Sequence, residues 1–119
     1  MNKPVRVILI DDAKDAYRKL NIIVGMQQRN GKRNSLELQL LRAITAKKSI
    51  LKQNPFYGDN IQKNLIPKQY NVGNLWRVEL PGFWRMLYTI KGDEIEIICF
   101  ILDIIDHEKY NKKFKYKRR

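Results

Sequence analysis

The sequence predicts an α+β domain of two layers: an N-terminal strand, then a helical hairpin packed on one face of a four-stranded, mainly antiparallel sheet. Three patterns carry this expectation. A brief β-branched run opens the chain, two stretches of helical spacing follow, and beyond residue 74 the apolar period drops to two.

Residues 5–10, Val-Arg-Val-Ile-Leu-Ile, are β-branched and short, which predicts a strand. Asp11 and Asp12 then offer an N-cap, and Ala16, Tyr17, Leu20, Ile23 and Val24 recur at helical spacing to about Gln28, before Asn30-Gly31 interrupts. After the basic connector 29–33, Asn34 with Glu37 three residues on resembles a capping box. Leu36, Leu40, Leu41, Ile44 and Leu51 form the apolar stripe of this second helix, and Pro55 ends it by biasing Asn54 away from helical geometry. Residues 54–73 carry Pro55, Gly58, Pro67 and Gly73 and little periodicity, so an ordered surface loop with no core of its own is expected.

From Leu75 the pattern alternates. Trp76, Val78 and Leu80 stand against Arg77 and Glu79; after the Pro81-Gly82 turn, Trp84, Met86, Tyr88 and Ile90 stand against Arg85 and Thr89. Lys91-Gly92-Asp93 makes another turn, and residues 95–102 are apolar on both parities, as in a strand covered on both faces. The helices bury the Trp76, Val78, Trp84, Met86 and Tyr88 side, so the opposite face displays Arg77, Glu79 and Arg85. A polar tail closes the chain.

The 119 residues suit one domain, and a hydrophobic share of 44% with 30% charged residues is a globular balance. Twenty-four Lys and Arg against twelve Asp and Glu give a net charge of +12, far above what solubility needs and suggestive of a polyanionic partner. The excess is uneven: residues 91–108 carry −5, whereas residues 109–119 carry +7 and form a basic arm. Tyr110, Phe114 and Tyr116 interleave with its cations. The arm either stacks on bases while neutralising phosphates or is a solvated terminus whose aromatics dock on the sheet.

One Cys, Cys99, and one His, His107, fall short of a structural zinc set, and no Gly-rich phosphate loop, nucleophile elbow or paired acidic metal site is visible, so neither metal nor cofactor is expected. A lone Cys in an apolar strand reads as a buried hydrophobe in a reducing compartment. The run Val7–Ile10 is too short for a signal core or a membrane span, so a cytoplasmic protein with no membrane partner is expected.

Arg77 and Arg85 lie on adjacent strands with parity that aims both at one face. They form either a clamp for one phosphate, since the planar guanidinium fork binds phosphate oxygens and keeps its charge, or a surface ion network with Glu79. Beyond the last strand, His107 followed by Tyr110 is either a proton carrier for RNA cleavage, with Asp106 orienting its ring, or a surface or capping residue.

These segments resemble the RelE/ParE toxin superfamily of type II toxin–antitoxin systems, and more closely its RelE-like messenger-RNA endonucleases. The resemblance spans most of the chain. It is carried by residues 75–80, by residues 84–90, and by the apolar strand leading to Asp106-His107-Glu108-Lys109-Tyr110, with further likeness at residues 54–58 and 66–68. It implies that Arg85 stabilises the transition state, that Arg77 contacts the scissile phosphate, and that His107 and Tyr110 supply acid, base or stacking groups. Many relatives carry Arg in place of His107. Glu79 departs from relatives that place a second cation there; it would serve as general base or pair with an Arg and blunt activity. Lys68, Lys112 and Lys113 are expected to contact RNA.

The implied activity is that of a toxin: a metal-independent endoribonuclease that cleaves messenger RNA on the ribosome by attack of the 2′-hydroxyl on the adjacent phosphate. An acidic antitoxin protein is the implied partner. A ParE-like inhibitor of DNA gyrase and a non-catalytic RNA-binding homologue remain open beside it.

Overall fold

The computed structural model describes residues 3–115. The fold is α+β, with the order β1 (Val5–Leu9), α1 (Asp11–Arg29), α2 (Leu36–Gln53), β2 (Asp59–Asn60), β3 (Trp76–Leu80), β4 (Trp84–Gly92), β5 (Ile97–Ile105) and α3 (His107–Lys115). The sheet has five strands rather than four, in the order β1-β5-β4-β3-β2. β1 runs parallel to β5, and every other pairing is antiparallel. The extra strand is the two-residue β2 within the stretch expected to be loop, where Asp59 pairs with Arg77 and Asn60 with Trp76.

Alternation dictates what each face of the sheet buries. Val78, Leu80, Met86, Tyr88, Cys99, Ile101 and Ile104 pack beneath α1 and α2 against Ala13, Leu20, Leu40, Ile44 and Leu51. Full burial of a side chain such as Ile44 or Leu51 stabilises by about 1.5–3 kcal/mol, so this layer holds the domain together. The tenants of this face are those expected from period two.

The opposite face differs from expectation. Ile66, Leu75, Leu87 and Ile105 form a second core, flanked by Ile61, Tyr70, Val72, Leu102, Tyr110 and Phe114. Two assignments are thereby corrected: the stretch 54–73 contributes to a core of its own, and the basic arm is not a polar tail but begins as helix α3. Together they lay a partial third layer over the sheet. A bulge makes this possible: β4 and β5 slip register between Leu87 and Tyr88, so that Ile101 and Ile104 both face the helices while Leu102 and Ile105 enter the second core.

Local contacts fix the element ends. α1 starts with Asp11 and Asp12 inside its first turn, where they complement the helix dipole, and its N-cap Ile10 makes no side-chain bond. For α2 the cap is Ser35, whose Oγ accepts from Leu38 N at 3.0 Å; Asn34 is not the cap, and Glu37 instead accepts from Gln27 Nε2 at 3.0 Å. Asp106 caps α3, its Oδ1 accepting from Lys109 N at 2.8 Å, and among the described residues no hydrogen bond joins it to the His107 ring. The stretch after α2 is tied to the sheet by Tyr88, whose hydroxyl donates to Pro55 O at 2.7 Å and accepts from Gly58 N at 3.0 Å. A Cβ on Gly58 would lie 2.8 Å from Arg77 O, so only glycine fits there. No helix among the described residues is long and apolar enough to cross a membrane.

Candidate functional site

Strand parity and register build the site. β3 and β4 pair Glu79 with Arg85 and Arg77 with Leu87, which places Arg77, Glu79 and Arg85 on one face, away from α1 and α2. Arg77 and Arg85 direct their Nε atoms at the same oxygen, Glu79 Oε2, at 3.6 and 3.4 Å. Among the described residues neither Nε–H makes a hydrogen bond, although both atoms are buried. Two cations therefore share one carboxylate and leave two strong donors unsatisfied.

Three of the terminal guanidinium nitrogens make hydrogen bonds. Arg77 Nη1 donates to the Tyr110 hydroxyl at 3.0 Å and Nη2 to Asp59 Oδ2 at 3.3 Å, while Arg85 Nη1 donates to Phe83 O at 2.5 Å. Both guanidiniums lie against the Tyr110 ring, 5.0 Å from its centroid for Arg85 and 5.8 Å for Arg77. Burial opposes the Arg77 cation, but the hydrogen bonds to Tyr110 and Asp59 and the nearby Glu79 carboxylate outweigh it and raise its pKa above the ordinary value. Side-chain exposure is 31% for Arg77, 18% for Arg85 and 55% for Glu79. The carboxylate is the most exposed of the three.

Tyr110 reaches the arginines from α3, where its ring also stacks on Phe114 at 4.3 Å between centroids. The same helix is anchored by a buried carboxylate in β5: Asp103 Oδ2 accepts from the Tyr70 hydroxyl at 2.7 Å and pairs with Lys113 Nζ at 3.2 Å. Desolvation, followed by the Asp103 bond, pushes the Tyr70 phenol far up. It stays protonated and donates.

The arrangement sorts the residues expected from the sequence. Arg77, Glu79, Arg85 and Tyr110 come together. His107 does not join them: it opens α3 at the surface with its ring edge-on to Phe83, 6.0 Å between centroids, and no hydrogen bond or ion pair links it to either arginine among the described residues. Lys68 and Lys112 are exposed, whereas Lys113 is committed to Asp103 and lies over the Tyr70 ring. The aromatics expected to stack on bases are partly occupied, since Tyr110 and Phe114 stack on each other; Tyr116 lies outside the described residues.

Three participants escaped sequence reasoning. Asp59 belongs to a strand too short for any period, Phe83 to a turn, and Asp103 to an otherwise apolar run, where a lone acid among Ile and Leu was the available signal. Among the described residues no group of three or more His, Cys, Asp or Glu could hold a metal ion. Comparison with protein-family models, with curated proteins and with solved structures yields no match.

Proposed function

We propose that the protein is a RelE-like endoribonuclease toxin, cytoplasmic, acting on messenger RNA held by the ribosome and neutralised by an acidic antitoxin protein. The observation that carries the reading is the pair Arg77 and Arg85 converging on one carboxylate oxygen with both Nε–H donors unsatisfied. A phosphate diester offers the two anionic oxygens that such a pair lacks. The order of strand, helical hairpin and antiparallel meander, which the resemblance implies, supports it as well.

In this mechanism the scissile phosphate displaces Glu79 and takes both guanidiniums. Glu79, freed but adjacent, accepts the proton of the 2′-hydroxyl, which attacks the phosphorus. The arginines hold the charge that develops on the phosphorane. Tyr110 accepts its hydrogen bond from Arg77, so its own proton is available to the departing 5′-oxygen, and a 2′,3′-cyclic phosphate is left. His107 makes no hydrogen bond to either arginine among the described residues, and Tyr110 rather than His107 supplies the proton that the departing 5′-oxygen takes up.

A second reading is favoured by one feature. Asp59 and Glu79 balance the charges of Arg77 and Arg85, as in a surface ion network, which suits an RNA-binding domain without catalysis. Incubating wild-type protein, Arg85→Ala and Arg77→Ala with ribosomes programmed with a defined messenger separates the two. Cleavage by wild type with a loss of about 10²- to 10³-fold in either variant supports the nuclease. Binding without cleavage in all three supports the second reading.

A further inference from the structure

We propose that Phe83, backed by His107, is the nucleobase platform of the arginine site, taking the base of a single-stranded nucleotide whose phosphate lies on Arg85. The inference rests on the RNA reading above and names the subsite that holds the strand.

Phe83 closes the turn Pro81–Phe83 between β3 and β4, and the residue is 71% exposed. Its backbone sits at φ 63°, directly after Gly82 at φ 69°. A bulky side chain in the left-handed region costs about 1–3 kcal/mol and persists where the surroundings enforce it. Here they do. Gly82 lies on Leu36 of α2, a Cβ there coming within 3.0 Å of Leu36 Cδ1, and the Phe83 carbonyl is held by Arg85 Nη1. The strained turn holds an apolar ring out to water on a residue bonded to Arg85.

The carbonyl contact makes the ring and the guanidinium one unit. That bond sets Arg85 beside the residue that carries the ring, so a phosphate on Arg85 and a base on Phe83 would be neighbours, as in one nucleotide. His107 stands edge-on to the ring and buttresses it, which gives the imidazole a role consistent with its distance from the arginines. Tyr110 and Phe114 are half-buried and stacked on one another, so neither offers the open face that Phe83 does. A ring beside a cation is the pairing that single strands select, because every base has a π-face and every nucleotide a phosphate.

The test is fluorescence anisotropy of the intact protein with a labelled single-stranded RNA of about eight nucleotides, 2′-O-methylated so that binding is read without cleavage. Phe83→Ala should weaken binding roughly 5- to 100-fold and leave the salt dependence unchanged, since no phosphate contact is lost. Phe83→Trp should bind at least as tightly as wild type. Arg85→Ala should weaken binding and flatten the log Kd against log salt slope by about 0.7. If Phe83→Ala binds within about two-fold of wild type while Arg85→Ala is weakened, the platform is wrong, the RNA reading stands, and the exposed ring belongs to a protein contact. If wild type and Arg85→Ala bind equally weakly, the RNA reading falls together with the platform.

Discussion

Glu79 pairs with two guanidiniums that the proposed mechanism gives to a phosphate, which makes it the most informative side chain of the site. Glu79→Gln removes the competing charge and the proposed base at once. RNA affinity should rise roughly 2- to 5-fold while turnover at saturating RNA falls about 10²-fold, a split between KM and kcat that a purely structural ion pair would not produce. Tyr88 answers a different question, how the stretch after α2 is fastened. Tyr88→Phe strands Pro55 O and Gly58 N and should cost about 1–3 kcal/mol in urea unfolding, with RNA binding spared. Burial also pushes the Tyr88 phenol up to about 12 from an ordinary 10 and the Cys99 thiol up to about 11 from an ordinary 9. In both cases the unfolded chain gives up its proton first, so stability is full below about pH 9 and declines as pH climbs through 9–12. Tyr88→Phe should flatten the upper part of that decline, and Cys99 should stay inert toward thiol reagents until the protein unfolds.

α3 is tied to the sheet by a buried charge as well as by its apolar side chains. Asp103, with Tyr70 and Lys113, pins the helix that carries Tyr110 onto the arginines. Lys113→Met leaves Asp103 with Tyr70 alone and should cost about 2 kcal/mol, below the 3–5 kcal/mol of a fully enclosed pair because Lys113 still meets water. Amide hydrogen exchange of α3 should quicken before that of β4 or β5. How far such elements were legible follows from their period. β1, α1, α2 and the β3–β4 hairpin announce themselves through runs of one period each, and the convergence of Arg77, Glu79 and Arg85 follows from parity on β3 and β4. α3 was hidden because its apolar residues, Tyr110 and Phe114, form a single i,i+4 pair within a basic run that also suits solvated coil. β2 is two residues long, and Asp103 and the bulge beside it break the alternation of β5. These are tertiary effects: a loop and a helix cover the second face, and covering it turns an acid in a strand into an anchor.

The net charge of +12 is distributed well beyond the arginine pair. Around the connector between α1 and α2, Lys32, Arg33 and Arg42 line one hollow, and the exposed Lys68 and Lys112 add to the field. RNA binding should therefore weaken steeply between 50 and 200 mM salt, with a slope reflecting several phosphates rather than the two arginines alone. An acidic antitoxin would draw on the same field and protect against it. The most direct measurement uses a ribosome-bound messenger cut by the protein, compared with the same messenger bearing one 2′-deoxynucleotide on the 5′ side of the cut. The account predicts cleavage of the first, with a 2′,3′-cyclic phosphate at the new end, and an intact second. Cleavage of both, or a 5′-phosphate at the downstream end, would contradict it.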